Sequence, residues 1–169
     1  MVSVRRIRCL NIVDDFTKQC LATEVDHSLP GRRGVHVLER LAEKCGLPAS
    51  IRVDNSPKFA SKALDAWACE CGFKLYLIEP GKQQNAYMEC FDGKFRDKYL
   101  NEHWFVSLRY AREAIEEWRR DYIEQRPHGT IGYLTLNQFA YSFKSRTLVW
   151  FRTNFFWGRQ VTSKKTNEI

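Results

Sequence analysis

The sequence predicts an α/β fold with a mixed sheet flanked by helices, on three observations. The first is a succession of short apolar runs alternating with segments of helical period between residues 29 and 78. The second is an apolar pair of runs near the start, Ile7 to Phe16 and Cys20 to Val25, separated only by Thr17-Lys18-Gln19. The third is a length of 169 residues with 44% hydrophobic and 28% charged residues, enough for one domain with a real core.

The paired runs suggest an antiparallel hairpin, with Asp14-Asp15 in a turn role and Asp15 helping to cap the strand end. Leu29-Pro30-Gly31 breaks the chain. Val35, Leu38, Leu41, Ala42 and Cys45 then recur at helical spacing, and Gly46-Leu47-Pro48 ends the helix. A strand from Ile51 delivers Asp54 into a turn. Ser61 suits the N-cap of a helix burying Leu64, Trp67, Ala68 and Cys71, closed by Gly72. Phe73 to Ile78 reads as the next strand. Strand, helix, strand in this order implies a parallel pair, and Asp54 falls at a strand's carboxyl end, where open α/β sheets carry their sites.

Gln84 to Arg96 reads as a helix with two faces. Met88, Phe91 and Phe95 form an apolar stripe, while Glu89, Gly93 and Arg96 follow one another at steps of four and three. That polar order suits a phosphate backbone lying along the helix, gripped by a guanidinium fork; taken alone, the pattern favours an ordinary amphipathic helix with a solvated face. Further on, Ser107 can cap a long helix with Leu108, Ala111, Ala114, Ile115, Trp118 and Tyr122 on a core stripe, rimmed by Arg112, Arg119 and Arg120. Asp54 and Glu89 are two carboxylates on different rigid elements, the kind of oxygen ligands from which Mg²⁺ sites for phosphodiester chemistry are built.

Ile51 to Phe59, Pro80 to Leu100 and Arg126-Pro127-His128-Gly129-Thr130-Ile131-Gly132-Tyr133-Leu134 together resemble the integrase core of OrfB-type insertion-sequence transposases, relatives of retroviral integrases in the DDE superfamily. The resemblance implies a ribonuclease H-like fold over residues 5–140. It also implies metal-dependent phosphodiester cleavage and strand transfer on insertion-sequence DNA, with Asp54 and Glu89 as the second and third acids of a triad that holds two Mg²⁺ (or Mn²⁺) ions. It gives Arg96, Lys94, Asn85, Lys82 and Gln84 as DNA contacts, with transposon ends and target as partners, a homo-oligomer, a separate DNA-recognition subunit and a bacterial cytoplasmic setting. His128 is a poor candidate for a base, because this chemistry draws its nucleophile from metal-bound water or a 3′ hydroxyl.

Three departures qualify it. The family's first acid sits on a strand upstream of the one that Leu10 to Phe16 resembles, and that strand is expected to be missing. The 34 residues between Asp54 and Glu89 are one short of the family's spacing. Asn55-Ser56-Pro57-Lys58-Phe59 departs from the family's Asn-Gly-Pro-Glu-Phe. The expectation is an impaired fragment holding one ion weakly. The alternatives are a non-catalytic DNA-binding or subunit-interaction remnant, or a ribonuclease H-like nuclease that cuts without joining.

The net charge of +7 is concentrated in residues 141–169, where six basic residues face Glu168 alone. This aromatic-rich tail shows no sustained period and matches no recognised fold, and it reads as a read-through or frameshifted extension rather than as a single-strand-binding surface. The six cysteines lack zinc spacing and read as buried reduced thiols, in keeping with a reducing compartment. No secretory leader or membrane-spanning stretch is expected.

Overall fold

In a computed structural model of the protein, which describes residues 2–54, 62–78, 86–143, 149–152 and 156–163, the sheet is organised around one long strand, β1 (Val2–Asp14). A turn at 15–17 returns the chain as β2 (Cys20–Asp26), antiparallel from Arg8↔Asp26 to Val13↔Cys20 with an irregularity after Ile12. Asp14, not Asp15, holds this turn: its carboxylate accepts from the Thr17 N–H at 2.9 Å and from the Thr17 hydroxyl. Asp15 instead pairs with Lys18 at 3.0 Å and Arg52 at 3.6 Å. Lys18 takes up the turn's left-handed residue at φ 62°.

Helix α1 (Gly31–Cys45) leads to β3 (Ser50–Asp54), α2 (Lys62–Cys71) and β4 (Lys74–Ile78). β3 and β4 are parallel, Ser50↔Lys74 through Asp54↔Ile78, as the βαβ order requires. Gly72 ends α2 at φ +73°, the left-handed position that glycine occupies without penalty. The predicted cap Ser61 lies outside the described residues. β4 is half-covered: Ile78 is buried, whereas Tyr76 and Leu77 are exposed at the sheet edge.

α3 (Ala86–Phe95) runs into a wider π-helical turn (Arg96–Leu100), closed by Asn101 N–H on the Arg96 carbonyl at 2.9 Å. A short β5 (Trp104–Phe105) precedes α4 (Leu108–Glu124), whose N-cap Ser107 accepts from the Tyr110 N–H at 3.0 Å. After a 3₁₀ turn at Gly129–Ile131, α5 (Leu136–Tyr141) opens with a capping box between Thr135 and Gln138.

Two segments of the tail join the sheet. Val149–Arg152 forms β6 and Phe156–Ser163 forms β7, both antiparallel to β1, and β6 is also parallel to β3. Aromatic and basic residues that give no regular period in the sequence thus become a central strand, because two facing edges, β1 and β3, supply its hydrogen bonds. Among the described residues the sheet has seven strands, ordered β4-β3-β6-β1-β7-β5, with β2 on the other edge of β1. The slot expected to lie empty is filled from the far end of the chain.

Each face of the sheet has its own apolar layer. Ile12, Ile51 and Val53 pack with Val37, Leu38 and Leu41 of α1 and Leu64, Trp67 and Ala68 of α2. Ile7, Cys9 and Val13 face Phe91 and Phe95 of α3 and Ala111, Ile115, Trp118 and Tyr122 of α4. The rim arginines of α4 are engaged in this docking. Arg112 donates to the Val25 carbonyl at 2.8 Å and to Asp26 at 2.9 Å, and Arg119 donates to the Cys20 carbonyl at 2.6 Å while gripping Glu116. Cys9 and Cys20 are buried as expected, but Cys45, Cys69 and Cys90 are exposed, so burial does not explain their placement. Among the described residues, no helix is long and apolar enough to cross a membrane.

Candidate active site

Asp54 is the last residue of β3, at the carboxyl end of the parallel pair and level with Ile78. Glu89 lies in the first half of α3. Both backbone positions agree with the reading of one acid ending a strand and another on a helix; the side chains at 54 and 89 lie outside what the structure describes. Lys82, Gln84 and Asn85 lie outside the described residues altogether.

The helix faces divide as its sequence suggests. Phe91 and Phe95 are fully buried, stacked on each other at 6.3 Å and against Trp118 at 5.8 and 4.9 Å. On the other side, a side chain added at Gly93 would meet nothing within 4 Å, so a ligand can approach the helix backbone there. Lys94 and Arg96 are exposed beyond it. Arg96 is held by its neighbour: Nε donates to Asp97 Oδ1 at 2.8 Å, and this pairing raises the guanidinium's pKa further and lowers that of Asp97.

One acid of this helix escapes sequence reasoning. Asp92, a turn beyond Glu89, is only 9% exposed and accepts from Asn11 Nδ2 at 3.3 Å. Asn11, fully buried in the middle of β1, accepts in turn from the Thr23 hydroxyl at 2.8 Å. A polar chain therefore runs from β2 through β1 to α3 across an otherwise apolar layer. Burial pushes the Asp92 carboxyl up to about 8, against the opposing pull of the Asn11 hydrogen bond and of Arg96. Its signal was available, since Asn11 interrupts the apolar run Leu10 to Val13, but the partner lies 81 residues away.

The register places Asp14 well away from Asp54. It lies opposite Trp150, which lies opposite Ile51, so it sits two strands over and three residues back along the sheet. At about 4.8 Å per strand and about 3.3 Å per residue, that is roughly 14 Å. His128 makes a bridge to Leu134 and stacks edge-on to Tyr122, and burial lowers its pKa. These contacts hold the loop in place. Among the described residues, no group of three His, Cys, Asp or Glu side chains could hold a metal ion. Carboxylate oxygens such as those of Asp54 and Glu89 are hard donors, the kind that suits Mg²⁺ or Mn²⁺ rather than softer ions.

Comparison with known proteins agrees with this geometry. Two family models, each described as an integrase core domain, match residues 2–83 and 71–135. The 31.7 kDa protein of insertion element IS407 from Burkholderia multivorans is 50% identical over 137 residues, 80% of this chain and 50% of that one. The 39.2 kDa protein of insertion element IS476 from Xanthomonas euvesicatoria is 46% identical over 147 residues, 86% of this chain and 42% of that one. The chain thus spans half or less of these curated relatives. Among solved structures, the HTLV-2 integrase catalytic core domain in complex with magnesium aligns with a TM-score of 0.58 at 18% identity, over 78% of this chain and 84% of that one. A chain of the simian T-cell lymphotropic virus intasome in complex with PP2A regulatory subunit B56 gamma aligns with a TM-score of 0.62 at 16% identity, over 82% of this chain and 50% of that one. The fold is ribonuclease H-like, and the chain belongs to the integrase core family.

Proposed function

We propose that this chain is the catalytic-core portion of an insertion-element transposase, built for metal-dependent phosphodiester cleavage and strand transfer and impaired as it stands. The observation that carries the reading is an acid at the carboxyl end of β3 and a second on α3, inside a region about half identical to insertion-element proteins. Asp54 and Glu89 are the residues that would hold a divalent ion, Mg²⁺ or Mn²⁺. Bound there, the ion supplies Lewis-acid stabilisation of the leaving oxygen and lowers the pKa of an attacking water or 3′ hydroxyl.

The rest is positioning. Arg96 exchanges Asp97 for a DNA phosphate, with Lys94 beside it and Gly93 leaving room for the backbone to approach. Lys82, Gln84 and Asn85 contribute further phosphate contacts, and the partners are transposon ends, target DNA, other copies of the chain and a DNA-recognition subunit. The impaired reading draws on the strand between β1 and β3, which comes from a tail whose only acid is Glu168 and which brings no third carboxylate to that place.

The test is cleavage and joining of terminal-repeat oligonucleotides with Mg²⁺ or Mn²⁺, alongside Tb³⁺ luminescence as a direct measure of ion binding. Expected are weak ion binding, lost in D54A and E89Q, and at most trace cleavage. Robust strand transfer would overturn the impairment, and ion binding indifferent to both substitutions would overturn the site. The basic tail favours a second reading, a DNA-binding remnant, whose mark is salt-sensitive duplex binding unchanged in E89Q. Cleavage without joined products would instead indicate a nuclease.

A further inference from the structure

Two side chains of the closing Arg126-Pro127-His128 motif rest on the aromatic layer that anchors α3. The Arg126 guanidinium lies over the rings of Trp118 and Tyr122, 5.6 and 5.7 Å from their centroids, and the His128 ring meets Tyr122 edge-on at 5.1 Å. The same two rings hold Phe91 at 5.8 and 5.2 Å, and Trp118 holds Phe95 at 4.9 Å. Lys94, between those phenylalanines in the chain, is exposed. Burial, and then the positive charges of Lys94 and Arg126, lower the pKa of His128 against the pull of the Tyr122 carbonyl, 3.5 Å from Nε2. The cluster is short of counter-charge. Asp121 takes Arg126 Nε at 2.8 Å, and among the described residues no other side-chain hydrogen bond engages the guanidinium and no ion pair engages Lys94. Stacking fixes the guanidinium plane, so its two terminal amino groups form a pre-set fork of the kind that takes two phosphate oxygens.

We propose that Arg126 and His128 join Lys94 in a phosphate clamp for the backbone of duplex DNA, built across α3 and the turn after α4. Arg126 supplies the fork, Lys94 a point charge, and His128 a donor that becomes cationic when phosphate arrives beside it. An anion favours the imidazolium, so DNA binding draws a proton onto His128 and strengthens as pH falls. The clamp grips backbone rather than base edges, so it fixes where the duplex lies and not which sequence is bound. Lys94 stands five residues beyond Glu89, about 7.5 Å along the helix, which brings the held duplex within two turns of that acid. That last step rests on the transposase reading; the clamp rests on the three side chains.

Two measurements on the full chain test it. By proton NMR, the His128 ring should titrate at higher pH when a short duplex is present at saturation. By fluorescence anisotropy, the duplex should bind about tenfold more tightly at pH 5.5 than at pH 8, a gain lost in H128Q. K94Q and R126Q should each weaken binding about tenfold and flatten its salt slope by about one, while R126K, which keeps the charge, should keep the slope. Identical His128 titrations with and without duplex, or salt slopes unchanged in both glutamine variants, would overturn the proposal. K94Q alters an exposed side chain, so the test holds even if R126Q loosens the turn. An equal His128 response to inorganic phosphate at the same phosphate concentration would mark a simple anion site and overturn the duplex assignment. Tb³⁺ luminescence reports on Asp54 and Glu89 separately: absent ion binding beside an intact His128 response sinks the metal-site reading alone, and ion binding beside a silent His128 sinks the clamp alone.

Discussion

β1 has two long neighbours, and they are made differently. On one edge, β2 returns after a five-residue connection, is pinned by the Asp14–Thr17 turn, and is clamped from above by Arg112 and Arg119 of α4. On the other edge, β6 and β7 arrive from more than a hundred residues away, and β6 pairs with β3 as well as with β1. The first neighbour is specified by short-range chemistry that would form in almost any context. The second exists because two strand edges need a partner, and an unpaired buried backbone group is costly whatever side chains accompany the strand that satisfies it.

The largest test of this contrast is to end the chain after Thr147. Both inner edges would open, and the loss should be comparable with the whole stability of a domain, roughly 5 kcal/mol or more, read as loss of cooperative unfolding and as aggregation. A truncated chain that melts like the parent would show the tail strand to be ornamental. On the other edge the link is Asn11. Asn11→Leu leaves Asp92 and Thr23 without their buried partner and should cost about 1–3 kcal/mol in denaturant unfolding, far less than the truncation.

Asp92 makes the same link sensitive to pH. Its folded pKa is raised to about 8, so the folded state holds a proton that the unfolded chain has released, and stability present at low pH is lost as pH rises through that value. The parent should therefore unfold more easily at pH 9 than at pH 6, and Asp92→Asn should remove that part of the slope; identical slopes in the two proteins would refute the assignment. The smallest effect belongs to the surface. Glu24 pairs with Arg33 at 2.9 Å and Arg40 at 2.7 Å, yet both arginines are exposed, so Glu24→Gln should shift stability by no more than about 1 kcal/mol, less in high salt.

Much of the fold is legible because its signals are local. The stripe on α4, the cap at Ser107, the glycine closing α2 and the parallel order of β3 and β4 each follow from residues within a turn or two of one another. The positions of Asp54 and Glu89 are legible for another reason: separated motifs in a fixed order are specific. Asp92 escapes sequence reasoning because nothing near it in the chain shows that Asn11, 81 residues away, receives its carboxylate. The cysteines were misjudged, since apolar neighbours in sequence do not seal Cys45, Cys69 or Cys90 from solvent.

By itself the sequence determined the helices, the hairpin, the parallel pair and the backbone places of one acid ending a strand and another on a helix, because periodicity, caps and motifs act through neighbouring residues. Only the tertiary structure decided what lies between β1 and β3 and which acid is buried under α3. Both depend on contacts between residues far apart along the chain, where backbone hydrogen bonding and desolvation, rather than local pattern, choose the partner.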